Sequence, residues 1–164
     1  MERPPEELRF VKNVEVMADA IYSGVQTLHQ EGYKVIDPKL ILLAKEIIRQ
    51  FDPNELIQDF IKNSQEHWCK VKKRDEAFFI HNAATVFKQL PIDIVLLFKD
   101  LFLTVDKNNK SVVSDKLKNS IWELFDAMIK IAIRYIYRQR KINIHYFNHI
   151  NLEEHATMWQ IVLN

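Results

Sequence analysis

The chain has 164 residues, close to the ~100–200 of one domain, and 48% of them are hydrophobic with ten phenylalanines, enough to bury a core. Its formal charge of +1 removes the overall basicity of a dedicated nucleic-acid binder. Only Gly24 and Gly32 are glycines, which disfavours tight hairpins, phosphate-cradling loops and strained nucleophile turns, all of which use positive φ.

In chain order, Met1–Glu7 is charged and lacks the apolar centre of a signal peptide. Leu8, Val11, Val14, Ala18, Ile21, Val25 and Leu28 then recur every three or four residues, the stripe of a long amphipathic helix that Gly32 is placed to stop. Asp37-Pro38 reads as an N-cap followed by proline at the first helical position. The helix it opens carries Leu40, Ile41, Leu43, Ala44, Ile47, Ile48 and Phe51, a stripe so wide that we expect it to be the most buried. Asp52-Pro53-Asn54-Glu55 repeats the start signal and adds the glutamate of a capping box. Leu56, Ile57, Phe60, Ile61, Ser64, Trp68 and Val71 give the third helix one face, and Lys70–Arg74 loosens or bends the chain after it.

Ala77–Leu90 predicts a fourth helix ended by Pro91, and Ile92–Leu103 a shorter fifth. Thr104–Ser114 is a loop. Ser114 caps the last long helix, whose stripe is Leu117, Ile121, Leu124, Phe125, Met128, Ala132, Tyr135 and Ile136. Ile142–Ile150 is extended or coil, and Asn151-Leu152-Glu153-Glu154 opens a short terminal helix through Met158 and Trp159. The fold class is therefore all-α. We expect one domain, residues 1–164, built as an irregular bundle of about six to seven helices with a long N-terminal helix and a long helix near the C-terminus.

The chemistry-bearing candidates thin out quickly. Asp106 and Asn108 match the first two ligand positions of a calcium loop, but Lys110, Ser111 and Leu117 stand where an oxygen ligand, the glycine and the bidentate glutamate belong. His145 and His149 are four apart, with His155 beyond, yet Tyr146 occupies the place of the metalloprotease glutamate. Cys69 has lysines nearby but no positioned base and no oxyanion loop. As the chain's one cysteine it can form no internal disulfide, consistent with a reducing compartment. No apolar run reaches the ~18–20 residues of a membrane span. We expect no enzyme, no cofactor, no metal site and no membrane role, in an intracellular setting.

Two binding readings remain. A protein partner is the first, reached by elimination, with Trp122, Trp159 and Trp68 as its candidate contacts because tryptophan is enriched in interface hot spots. Nucleic acid is the second. Residues 127–152 carry Lys130, Arg134, Arg138, Arg140 and Lys141 with no Asp or Glu, interleaved with tyrosines and histidines that can stack on bases.

The runs Phe78-Phe79-Ile80-His81-Asn82-Ala83, then Phe87, Leu90-Pro91 and Phe98-Lys99-Asp100-Leu101-Phe102, resemble an uncharacterised protein family of large nucleocytoplasmic DNA viruses, marseillevirus-like members above all. Ile121-Trp122-Glu123-Leu124-Phe125 and Ile131-Ala132-Ile133-Arg134-Tyr135-Ile136 are similar to that family's last long helix. The likeness spans roughly residues 56–140 and consists of packing residues. It implies a viral protein made in an infected cell, in the cytoplasm or nucleus of the host, and brings no catalytic residues. The apoptosis-regulating, groove-binding helical fold would show Asn-Trp-Gly-Arg, which Ile121-Trp122-Glu123 is not.

Overall fold

The computed structural model describes residues 3–86 and 88–164. Phe87, assigned above to the fourth helix and to the viral pattern, lies outside the described residues, as do Met1 and Glu2.

Within that range the chain is all-α, with seven helices of seven residues or more and one short fragment. Their bounds are α1 Glu6–Gln30, α2 Pro38–Arg49, α3 Pro53–Ser64, α4 Trp68–Lys72, α5 Glu76–Val86, α6 Ile92–Leu103, α7 Asp115–Arg140 and α8 Leu152–Met158. The start signals act as the sequence dictates. The Asp37 side chain accepts from Lys39 N, Asp52 from Asn54 N and Glu55 N, Ser114 from Leu117 N, and Asn151 from Glu154 N. Each satisfies backbone donors that the first turn leaves without a partner. At the end of α1, Gly32 takes φ 91°, a left-handed value that glycine adopts without strain.

α1 and α7 are the long members and pack along one another. They run antiparallel. Arg138, near the end of α7, reaches Glu6 and Glu7 at the start of α1, while Leu117 at the start of α7 meets Gly24 near the end of α1. A Cβ on Gly24 would come within 2.6 Å of Leu117 Cδ2, so the missing side chain leaves room for the Leu117 tip between the helices. The main core gathers on α7, where Ile121, Phe125, Met128, Ile129, Ile131, Ala132, Ile133, Tyr135 and Ile136 are all buried. A second cluster joins Val25, Leu28, Ile36, Ile41, Leu101 and Val113 at the other end of α1.

Four local expectations change. The α1 stripe is rotated: Phe10 and Met17 are buried, whereas Leu8 is exposed, because Phe10 packs on the Phe60 ring of α3 at 4.9 Å. α2 is not the most buried helix. Only Ile41 and Ala44 are buried on it, and Leu42 and Leu43 face solvent. The third helix is split by a 3-10 turn at Gln65–His67. There the Trp68 indole N–H donates to Ser64 Oγ, and that hydroxyl donates to Phe60 O, so the serine competes with the helical ladder. The segment 142–150 is neither strand nor free coil but a chain of turns, Tyr146 N to Asn143 O, Asn148 N to His145 O and Ile150 N to Phe147 O.

Candidate functional site

Three of the predicted contact residues are tryptophans, and the fold separates them. Trp68 is 0% and Trp159 1% exposed. Both lie in the main core, so neither reaches a partner's surface, and as contact residues they are corrected here. Their polar sequence neighbours, such as Glu66 and Gln160, lie on the exposed side of the same segments. Trp68 faces inward against the His155 ring at 5.0 Å, and Trp159 is covered by Lys72, whose ammonium lies 4.8 Å from its ring centre. Trp122 differs. It is half-buried, stacked edge-on against Phe79 at 5.5 Å, and it stands on the wall of a cleft.

That cleft has a volume of about 210 Å³ and lies between α1, α2, the α5–α6 hairpin and α7. Its walls are apolar: Val14 and Ile21 from α1, Ile48 from α2, Phe79 and Ile80 from α5, Phe98 and Phe102 from α6, and Trp122 from α7. All of these are only half-buried, so they line a mouth open to solvent. The charged side chains at its edge are largely matched within the protein. Lys45 pairs with Asp19 at 2.7 Å, Lys118 with Glu76 at 2.9 Å and Glu15 with Arg49 at 3.0 Å. Lys99, also on the lining, makes no ion pair among the described residues. Outside the cleft, α6 shows Ile92, Leu96, Leu97 and Leu103 to solvent. Sequence reading missed this site because it is assembled from four separate segments. The signal it did offer was α6, apolar on several sides and so unable to hide all of them.

The five cations of 127–152 are also separated. Arg138 is a structural clamp: its guanidinium donates to Glu6 at 2.8 Å and to Glu7 at 2.6 Å, tying the two long helices together. These carboxylates raise its pKa, although burial opposes them as the larger single effect. Arg140 donates to three backbone carbonyls of the turn segment, Tyr146 O at 2.9 Å, Phe147 O at 2.6 Å and Ile150 O at 2.9 Å. It is the nail that holds the chain of turns to α7. Lys141 lies over the Tyr137 ring at 4.7 Å. Only Lys130 and Arg134 face a shared concavity, and there they meet Arg9 and Lys12 of α1, which the sequence reading did not single out. Arg138 and Arg140 thus each spend part of their donor set inside the protein, Arg138 on two carboxylates and Arg140 on three carbonyls.

The interleaved aromatics serve the core. Tyr135 is 1% exposed and donates to Asn54 Oδ1 at 2.9 Å while accepting from Gln58 at 3.3 Å. Tyr146 stacks on Tyr135, and burial pushes its phenol well above the ordinary tyrosine range. His155 is half-buried, and burial holds its imidazole below the usual value, while His145 and His149 stay exposed. Among the described residues no three His, Cys, Asp or Glu side chains come together as a metal site. In the 104–114 loop, the Asp106 carboxylate accepts from Asn108 N and Lys110 N, shaping a turn closed by the Val105–Ser111 bridge. Cys69 is exposed. Among the described residues no helix is long and apolar enough to cross a membrane.

Comparison of the chain with protein-family models, with curated proteins and with solved structures finds no match.

Proposed function

We propose that this is a non-enzymatic binding protein whose apolar cleft takes the hydrophobic face of an amphipathic helix from a protein partner. The observation that carries the reading is the concave wall of half-buried Val14, Ile21, Ile80, Phe98 and Trp122, apolar side chains left in contact with water on the inside of a groove. Scattered exposed apolar residues need no explanation, whereas a contiguous concave set marks a binding site. An engineered apolar cavity of about 150 Å³ holds a benzene-sized guest, so about 210 Å³ accommodates one or two anchoring side chains. A helix presents such anchors at i, i+3, i+4 and i+7. Because Lys45, Lys118 and Glu15 are already paired, Lys99 is the edge charge available to an acidic residue on the partner's flank.

Selection from a displayed library of helical peptides tests this. Enriched peptides should carry large apolar residues at helical spacing. Their affinity should fall at least about tenfold for Ile80→Glu, which puts a charge into the groove at a cost of more than 1.4 kcal/mol, and also for Trp122→Ala. Ile80 is half-buried, so the first variant should keep its helical circular dichroism. No enrichment, or selected peptides that bind both variants as well as the parent, would dismiss the cleft as a docking site.

A further inference from the structure

We propose that the groove between α1 and α7 that gathers Arg9, Lys12, Lys130 and Arg134 binds the phosphodiester backbone of single-stranded nucleic acid. The surface is separate from the apolar cleft and independent of what the cleft takes.

The groove has a volume of about 370 Å³, and Asn13, Ala127 and Ile131 complete its lining. Two cations come from each helix. Arg9 and Lys12 are three residues apart on α1, and Lys130 and Arg134 four apart on α7, spacings that place each pair on one face about 5–6 Å apart. Because the helices run antiparallel, the two pairs stand on opposite sides of the groove. A concavity with cations on both sides suits the regularly repeated negative charge of a nucleic-acid strand.

Some cations elsewhere are held in ion pairs. Lys45, Arg49, Lys70, Arg74, Lys118 and Arg138 all pair with carboxylates. Among the described residues, none of Arg9, Lys12, Lys130 and Arg134 has a salt-bridge partner, so repulsion within the groove is only partly offset, by Glu6 and Asp126 at longer range. Arg9 registers it: burial and the charges of Arg3 and Arg134 push its guanidinium pKa down, with Glu6 only partly opposing them. Such a site lowers its own energy by taking up anions.

The charge also continues along the molecule. Asp126 lies under the influence of Arg74, Lys72 and Lys130, so one half-buried carboxylate serves three cations. Arg74 approaches it at 3.4 Å. Lys72 of α4 is thus a further cation near the α7 wall, with Asp126 between it and Lys130. An anionic bilayer is flat and would not enter the concavity. No aromatic ring lines the groove, so binding should rest on the phosphates, which carry no sequence information.

The experiment is fluorescence anisotropy of the full chain with a labelled 12-nucleotide oligouridylate at about 50 and about 200 mM salt, where phosphate contacts should weaken sharply. Anionic phosphatidylserine vesicles and polyglutamate are the competing arms. Binding should fall with salt at about 0.7 log units per log unit of salt for each phosphate neutralised. The double change Lys130→Glu with Arg134→Glu should weaken it at least tenfold, and Arg9→Gln with Lys12→Gln should do the same from the other wall should the first variant fold poorly. Reversing Lys107 and Lys110, on the 104–114 loop, should change it less than twofold, and so should Ile80→Glu in the cleft. The assignment is overturned if the strand does not bind at low salt. It is equally overturned if groove and loop variants behave alike, or if vesicles or polyglutamate bind in the groove-dependent manner and the strand does not.

Discussion

Arginine 140 shows how one residue type divides into architecture and surface within a single helix turn or two. Its guanidinium satisfies three carbonyls of the 146–150 turns, and hydrogen bonds made by a charged group contribute roughly 1.5–3 kcal/mol each when removed one at a time. Arg140→Ala should therefore destabilise the fold by about 2–3 kcal/mol, and Arg140→Lys should recover little, since an ammonium lacks the planar fork. Lys130→Ala should stay within about 0.5 kcal/mol of the parent, as surface changes do. Urea denaturation of the three variants checks all of this. Trp68→Ala should cost about 3–5 kcal/mol in the same assay, the usual result of hollowing a core at a large aromatic, whereas Trp122→Ala should cost less because that ring is half-exposed. His155 gives a pH signature. Burial, only partly opposed by Glu154, holds its folded-state pKa below the ordinary 6.5. The unfolded chain therefore binds more protons in the window below about pH 6.5. Stability should be complete above that value and decline as pH falls from it toward the folded-state pKa, and His155→Phe should flatten this part of the curve. Urea midpoints at about pH 5.5 and 7.5 are the measurement, and an unchanged slope in the variant would contradict the assignment. The sequence already set Trp68 on the apolar face of the third helix, whereas the role of Arg140 was not legible, because a cation's partner depends on which segment folds back over it.

At the scale of the element, legibility tracked local chemistry. The caps at Asp37, Asp52, Ser114 and Asn151 and the stop at Gly32 could be read directly, because each acts on backbone groups within three residues of itself. Faces were read less well. Choosing Leu8 over Phe10 for the α1 stripe and overrating α2 both follow from periodicity alone, which counts oily positions without knowing how many neighbours a helix has. The break after Ser64 depends on the indole of Trp68 reaching back four residues to a hydroxyl, a competition that a continuous 3.6-residue rhythm conceals. The contact of α1 with α7 offers a test at this scale. Gly24→Ala improves helix propensity by about 0.8–1 kcal/mol but drives a methyl to 2.6 Å from Leu117. We expect the substitution to be more favourable in a Leu117→Ala background than in the parent, with a coupling of about 0.5–3 kcal/mol in a double-mutant cycle. Additive effects would mean that the two helices do not approach as closely as described.

For the whole molecule, the all-α class and the two long helices followed from hydrophobic rhythm and scarce glycine, while the cleft and the basic groove arise only when distant segments meet. The cleft is where the α5–α6 hairpin stands against α1, α2 and α7, and its walls are apolar side chains that the fold leaves half-covered on a concave surface. Burying such walls under a partner helix should give a negative heat-capacity change on binding. The most direct measurement is a backbone-amide and methyl chemical-shift map of the isotope-labelled protein saturated with a selected helical peptide. The account predicts perturbations concentrated on Val14, Ile21, Ile80, Phe98 and Trp122, with Arg9, Lys12, Lys130 and Arg134 unmoved. Shifts centred on the α1–α7 groove or on the outer side of α6, with the cleft residues silent, would contradict it.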